Sequence, residues 1–223
     1  WRNISLERLP GTARELDNVS RFWQSRYSEP VLRLSGVEAM EDCFKKFAGG
    51  KHALHIATHG FFMPAECASA EAAVGGLMSA EYVGENPLLF SGLFLAGCNL
   101  HGEGAAEYGI DDGILTADEI AMLDLSGVDR VTLSACETAL GQIQSGEGVY
   151  GLRRAFLLAG ARTVVSALWP VSDRETSEFM SFIYRHNPAP LYTIFREYQM
   201  DRINRYRQHG YSDHPRKWGA FIA

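Results

Sequence analysis

Apolar and polar residues change rhythm in a regular succession along this chain. Short runs in which Val, Ile, Leu and Ala follow one another predict buried strands, and apolar residues three and four apart predict helices between them. The strand-like runs are roughly His52 to Thr58, Leu93 to Ala96, Val128 to Ala135, Thr163 to Trp169 and a short start from Trp218 to Ile222. Val31 to Leu34, after Pro30, predicts a short edge strand.

Helical spacing begins at Thr12-Ala13-Arg14-Glu15, a capping-box pattern followed by Leu16 and Val19, and predicts a helix to about Trp23. A second box, Ser35-Gly36-Val37-Glu38, precedes Met40, Phe44 and Phe47, and Gly49-Gly50 ends that helix. A third, Thr116-Ala117-Asp118-Glu119, opens a short helix through Met122. Further helices are predicted from Glu147 to Ala159 with Gly160 as the stop, from Ser172 to before Pro188, and from Leu191 to about Gln208. Strands alternating with helices of roughly ten to fifteen residues predict an α/β fold with a mainly parallel sheet. Two stretches break the rhythm: Phe61 to Pro87, small and polar, and Cys98 to Tyr108, with Gly102 and Gly104. Loops that long inside a compact domain are usually functional or mobile.

Composition narrows the class. At 223 residues the chain suits one domain, and 46% hydrophobic with 22% charged residues is ordinary for a globular chain with a real core. A formal charge of −6 argues against a general nucleic-acid binder. Cys43, Cys67, Cys98 and Cys136 are scattered without metal-ligand spacing, which predicts reduced thiols and a cytoplasmic location. The longest apolar stretch, Ala155 to Val171, contains Arg162 and Pro170, so no membrane span is expected. A start at Trp1 suggests a piece of something longer.

Two strand-like runs carry the candidate chemistry. One delivers His59 followed by Gly60, and the other ends in Ser134-Ala135-Cys136-Glu137-Thr138. Reactive groups collect where parallel strands end, and a cysteine beside a histidine makes a nucleophile and its base if the two strands are neighbours. On residue type alone, Cys136 reads as readily as a buried small hydrophobe. His52 and His55 read as satisfied core histidines. Gly60 leaves room for a substrate backbone, and its N–H with that of Cys136 suits an oxyanion hole. Gly146-Glu147-Gly148-Val149-Tyr150-Gly151 formally matches a dinucleotide fingerprint, with Asp173 at about the right distance. The glycines follow too far after the strand, however, and Glu147 would repel a pyrophosphate.

Five blocks in order resemble the CHAT domain. They are His55-Ile56-Ala57-Thr58-His59-Gly60-Phe61-Phe62, Ser91 to Leu100, Asp112 to Ile120, Leu133 to Thr138, and Gly146 through Phe156 to Leu168-Trp169-Pro170-Val171. CHAT domains are caspase-like cysteine peptidases related to separase, caspases and metacaspases. The resemblance implies a caspase-like three-layer sandwich, with a mainly parallel central sheet and helices on both faces, spanning residues 1–223 as a single, N-terminally incomplete peptidase domain. It implies His59 and Cys136 as a catalytic dyad acting on protein substrates without metal or organic cofactor. It also implies an N-terminal sensor or adaptor, such as TPR repeats, that controls the protease, and a setting in bacterial defence or programmed cell death that none of these residues specifies.

In relatives the segment after the following strand builds the pocket for the residue before the cut. Here it runs from Ser166 through Trp169 to Asp173. Trp169 is then a pocket wall, and Asp173 selects Arg or Lys by a charge-assisted contact. The alternative is that Asp173 only favours the N-terminus of the next helix. Asp111, Asp112 and Glu137 are further acidic candidates, Asp112 equally as a turn residue. A catalytically silent scaffold that binds partner proteins is the competing function.

Overall fold

Ten consecutive residues, Ala53–Phe62, form the strand around which the sheet is built (β1). The computed structural model describes residues 6–62, 87–100, 112–137 and 147–223, with the backbone alone at a few of these, Cys136, Glu137 and Asp173 among them. The Phe61–Pro87 loop beyond Phe62, the Cys98–Tyr108 stretch beyond Leu100, Cys67 and Asp111 therefore lie outside the described residues.

On one side β1 pairs antiparallel with β2 (Ser91–Phe94), which pairs antiparallel with β3 (Ile114–Thr116). On the other side it pairs parallel with β4 (Arg130–Glu137), and β4 with β5 (Val164–Ala167). A two-residue strand, β6 (Phe221–Ile222), closes that edge antiparallel. The sheet order is β3-β2-β1-β4-β5-β6. Following these pairings, β1, β3, β4 and β5 run in one direction, so the sheet is mostly parallel, as the sequence leads one to expect.

Six described α-helices cover it: α1 (Thr12–Arg26), α2 (Glu41–Ala48), α3 (Ala117–Ala121), α4 (Glu147–Leu158), α5 (Asp173–His186) and α6 (Leu191–Gln208). Two large clusters of buried residues, among those described, join helices to the sheet. Ile56, Leu93, Val131, Leu133 and Val164 pack with Ile120 of α3 and Phe156 of α4. Val165 and Phe221 pack with Val19 of α1, Phe179 and Ile183 of α5 and Ile194 of α6. Val164 and Val165 of β5 thus enter different cores, which is why successive positions of this strand are apolar.

Two glycines are demanded by close approach. At Gly92 a Cβ would lie 2.6 Å from the Phe61 ring and 2.5 Å from the Leu115 carbonyl oxygen. Gly113, at φ +75°, packs so tightly under the next turn that a Cβ would come 2.5 Å from the Cys98 nitrogen.

Several local expectations are corrected. Val31–Leu34 forms no strand and pairs with no strand among the described residues. The second box yields only a 3-10 turn, Gly36–Glu38, because Gly36 sits at φ +57° and the chain restarts as α2 at Glu41. The first box is not made: α1 is capped at Gly11 without a side-chain bond, and Glu15 is drawn away to a partner on β1. The third forms in full, with Thr116 and Glu119 bonding each other's backbone.

Candidate active site

β1 and β4 are adjacent and in parallel register from Ala53–Arg130 to Gly60–Glu137. On the rung before the ladder ends, His59 is the Cα partner of Cys136. The two runs singled out by sequence are therefore neighbouring strands, and their reactive residues share one level of the sheet.

Among the described residues, the His59 ring is held from one side. Its Nε2 lies 2.7 Å from the carbonyl oxygen of Glu7. A carbonyl only accepts, so Nε2 is the donor, and in the neutral ring Nδ1 then keeps the lone pair. That Nδ1 is buried and has no hydrogen-bond partner among the described residues. Buried polar atoms are normally satisfied, and an exception calls for a reason. On the other flank, His59 pairs with Phe94 of β2. Gly60 is buried and pairs with Leu93 and Glu137.

His55, four residues earlier, has both ring nitrogens engaged. Nε2 meets Glu15 of α1 at 2.8 Å, and Nδ1 meets the Tyr184 hydroxyl of α5 at 3.1 Å. Tyr184 bonds on to Thr132 of β4, and Arg130 lies over its ring at 4.9 Å. Burial raises the Tyr184 pKa, which keeps the phenol protonated as a hydrogen-bond donor. His55 is thus the satisfied core histidine expected. His52 is not: it precedes β1, is exposed, and pairs with Asp129 at 3.1 Å.

Among the other thiols, Cys43 and Cys98 are free. Burial pushes the Cys98 thiol above its ordinary pKa, so it stays protonated and a poor nucleophile.

The candidates for substrate preference are divided between the two edges. Val164 pairs with Val131 and Val165 with Thr132, and Trp169 follows two residues after β5 ends. Trp169 donates from Nε1 to the Arg216 carbonyl at 3.3 Å. It lines a cavity of about 40 Å³ together with Glu175, Tyr198, Lys217 and Trp218. Ser166 is buried, pairs with Ile222, and has an unpartnered hydroxyl. Asp173 is the first residue of α5, next to the N-cap Ser172. Glu137 ends β4. Asp112 stands apart: β2, β1 and β4 separate the β3 edge from β5, and its Oδ1 accepts the Ile114 N–H at 2.8 Å, as a turn residue would. A larger cavity of about 710 Å³ runs along α1, α2 and the first half of β1 but stops at Thr58, short of the His59 rung.

A family model for the CHAT domain matches residues 1–223. The chain belongs to the CHAT-domain family. This family is related to caspase-like peptidases, and the six-stranded α/β sheet agrees with that architecture. The CHAT domain also resembles mouse "Tetratricopeptide repeat protein 28", at 41% identity over 71 residues. That match takes in 32% of this chain and 3% of the mouse protein, so the chain spans a small fraction of the relative's length. No helix among the described residues is long and apolar enough to cross a membrane.

Two features of the site escape a reading of residue types. The Glu7 carbonyl is a backbone group that any amino acid supplies, so no sequence signal marks it. The Glu15–His55 pair joins residues 40 positions apart, beyond the reach of local pattern.

Proposed function

We infer that this CHAT domain is a cysteine endopeptidase with Cys136 as nucleophile and His59 as general base, then acid. The observation that carries the reading is the shared rung of His59 and Cys136, joined to a His59 ring with one nitrogen capped by a carbonyl and the other buried and open. In this reading Nδ1 of His59 takes the thiol proton and the thiolate attacks the peptide carbonyl. The amides of Gly60 and Cys136, at the end of the β1–β4 ladder, stabilise the oxyanion. The imidazolium returns its proton to the departing amine, and water releases the acyl group by the same route. Substrate lies extended beside Trp169, past the Ser166 and Ala167 rungs that β6 already occupies.

The residue before the cut is basic in this proposal, with Trp169 as a wall and the Asp173 carboxylate as the counter-charge. Glu137 and Asp112 are the reserve acids, Asp112 the weaker because it stands at the far edge. The domain works as the C-terminal part of a longer cytoplasmic protein whose N-terminal sensor, of TPR type as in the name of the mouse relative, controls cleavage in defence or cell death.

The test is a fluorogenic peptide panel varied at the residue before the cut. Cleavage after Arg or Lys that is lost in Cys136→Ala and weakened in Asp173→Ala is the expected result. Cleavage after other residues retains the dyad and removes the acidic pocket. No cleavage, together with a Cys136 that ignores small electrophiles, leaves the silent scaffold as the better reading.

A further inference from the structure

The geometry points to Asn99 as a positioning residue that clamps the Leu6–Glu7 backbone over His59 and so fixes which ring nitrogen serves as the base. It rests on the His59–Cys136 reading above and adds the device that sets the histidine's tautomer.

Both backbone hydrogen bonds of Leu6 go to this one side chain: the Leu6 N–H donates to Asn99 Oδ1 at 2.9 Å, and Asn99 Nδ2 donates to the Leu6 carbonyl at 3.0 Å. A primary amide offers a donor and an acceptor at the spacing of a peptide group, so Asn99 pairs with Leu6 as a neighbouring strand would. Asp lacks the donor and Ala lacks both. The Leu6 side chain packs against Phe61, Phe94 and Ile114. The next carbonyl along, that of Glu7, receives the His59 Nε2–H.

The clamp is itself mounted rigidly. Asn99 sits on the 3-10 turn Cys98–Leu100, whose Cys98 N–H bonds the Leu95 carbonyl at 3.2 Å. The Leu95 N–H in turn bonds the Gly113 carbonyl at 2.7 Å. Gly113 packs beneath Cys98 where no side chain fits. The Asp112-Gly113 motif thereby acquires a role: it supports the turn that carries Asn99, three strands from where a specificity acid would stand.

A neutral imidazole has one proton. With the Glu7 carbonyl in place it resides on Nε2 and the buried Nδ1 is basic. If the carbonyl drifts, the proton also populates Nδ1, and that tautomer cannot accept from a thiol on that side. Loss of the clamp therefore lowers kcat more than it alters KM.

The test is the 15N spectrum of the His59 ring at alkaline pH in the whole chain, with peptide hydrolysis alongside. Wild type is expected to show a single Nε2–H tautomer. Asn99→Ala should show averaged tautomers, with kcat about tenfold lower and KM within about twofold. Asn99→Asp, which still accepts from Leu6 N–H but cannot donate, should fall between. A wild-type ring spectrum with wild-type kcat in both variants overturns the proposal, as does a mixture of tautomers in the wild type. If the wild type cuts no peptide, the ring spectra alone decide the clamp, and the peptidase reading fails separately.

Discussion

His55 and His59 lie on one strand, four residues apart, and their surroundings have opposite logic. The His55 ring is closed: a carboxylate on one nitrogen and a phenol on the other tie α1 and α5 to the sheet. The His59 ring is half open, fixed at Nε2 and without a partner at Nδ1 among the described residues. A ring satisfied on both sides serves stability, because every proton it holds is already committed. A ring oriented at one nitrogen and free at the other retains a proton-accepting site that folding does not use. Burial does not separate the two histidines; the count of partners does.

Exchanging each for alanine sharpens this contrast most. His59→Ala should lower peptide hydrolysis and the alkylation rate of Cys136 by about 10²- to 10⁴-fold, while the melting temperature hardly moves. His55→Ala should do the reverse. It leaves the Glu15 carboxylate, 4% exposed, without its imidazole, at a cost of about 3 kcal/mol in a denaturation curve, with activity within a few-fold below the transition. If His59→Ala melts the protein and His55→Ala silences it, the assignment is inverted.

Softer changes probe the closed ring. Tyr184→Phe removes the hydroxyl that meets His55 Nδ1 and Thr132 but keeps the ring beneath Arg130. It should cost about 1–2 kcal/mol, the range for hydrogen-bonded groups left short of a partner. Glu15→Gln should cost about 1 kcal/mol, since an amide oxygen still accepts from the imidazole. Denaturant midpoints measure both, and no change in either would show that the network contributes nothing to the fold.

The sequence makes His59 and Cys136 stand out because each closes an apolar run, although the strand carrying His59 continues three residues further, to Phe62. It cannot say which strands are neighbours, and the dyad depends on β1 lying beside β4. Local chemistry misleads where a distant partner outbids it. The Thr12–Glu15 capping box has the right letters, yet the Glu15 carboxylate bonds His55 instead of its own helix end. Val31–Leu34 has strand-like residues, but no neighbouring edge pairs with it. Thr116–Glu119, whose partners are all local, forms as its residues predict. Backbone groups such as the Glu7 carbonyl leave no trace in residue identity at all.

Glu41 of α2 offers the smallest effect and the sharpest limit on counting partners. One carboxylate oxygen holds Lys45 at 2.6 Å, and the other, Oε2, is buried without a partner among the described residues, as His59 Nδ1 is. No nucleophile faces it among the described residues, and Lys45 also serves Glu119 at 3.0 Å. Here the open atom reads as a cost to stability, not as chemistry. Burial, opposed by the Lys45 hydrogen bond, raises the Glu41 pKa to about 7 from an ordinary 4.5. The folded state therefore binds the proton more tightly than the unfolded chain, and the stabilisation from that proton is complete below pH 4.5 and fades as pH rises through about 7. Glu41→Gln keeps an oxygen for Lys45 and removes the ionisation. It should raise stability at pH 8 by about 1 kcal/mol, less than the full shift because the neutral amide gives up the charged bond to Lys45. At pH 5 it should change little. Melting curves at the two pH values decide the matter: equal effects at both would mean that the carboxylate is ionised and satisfied, and that its open oxygen has a partner after all.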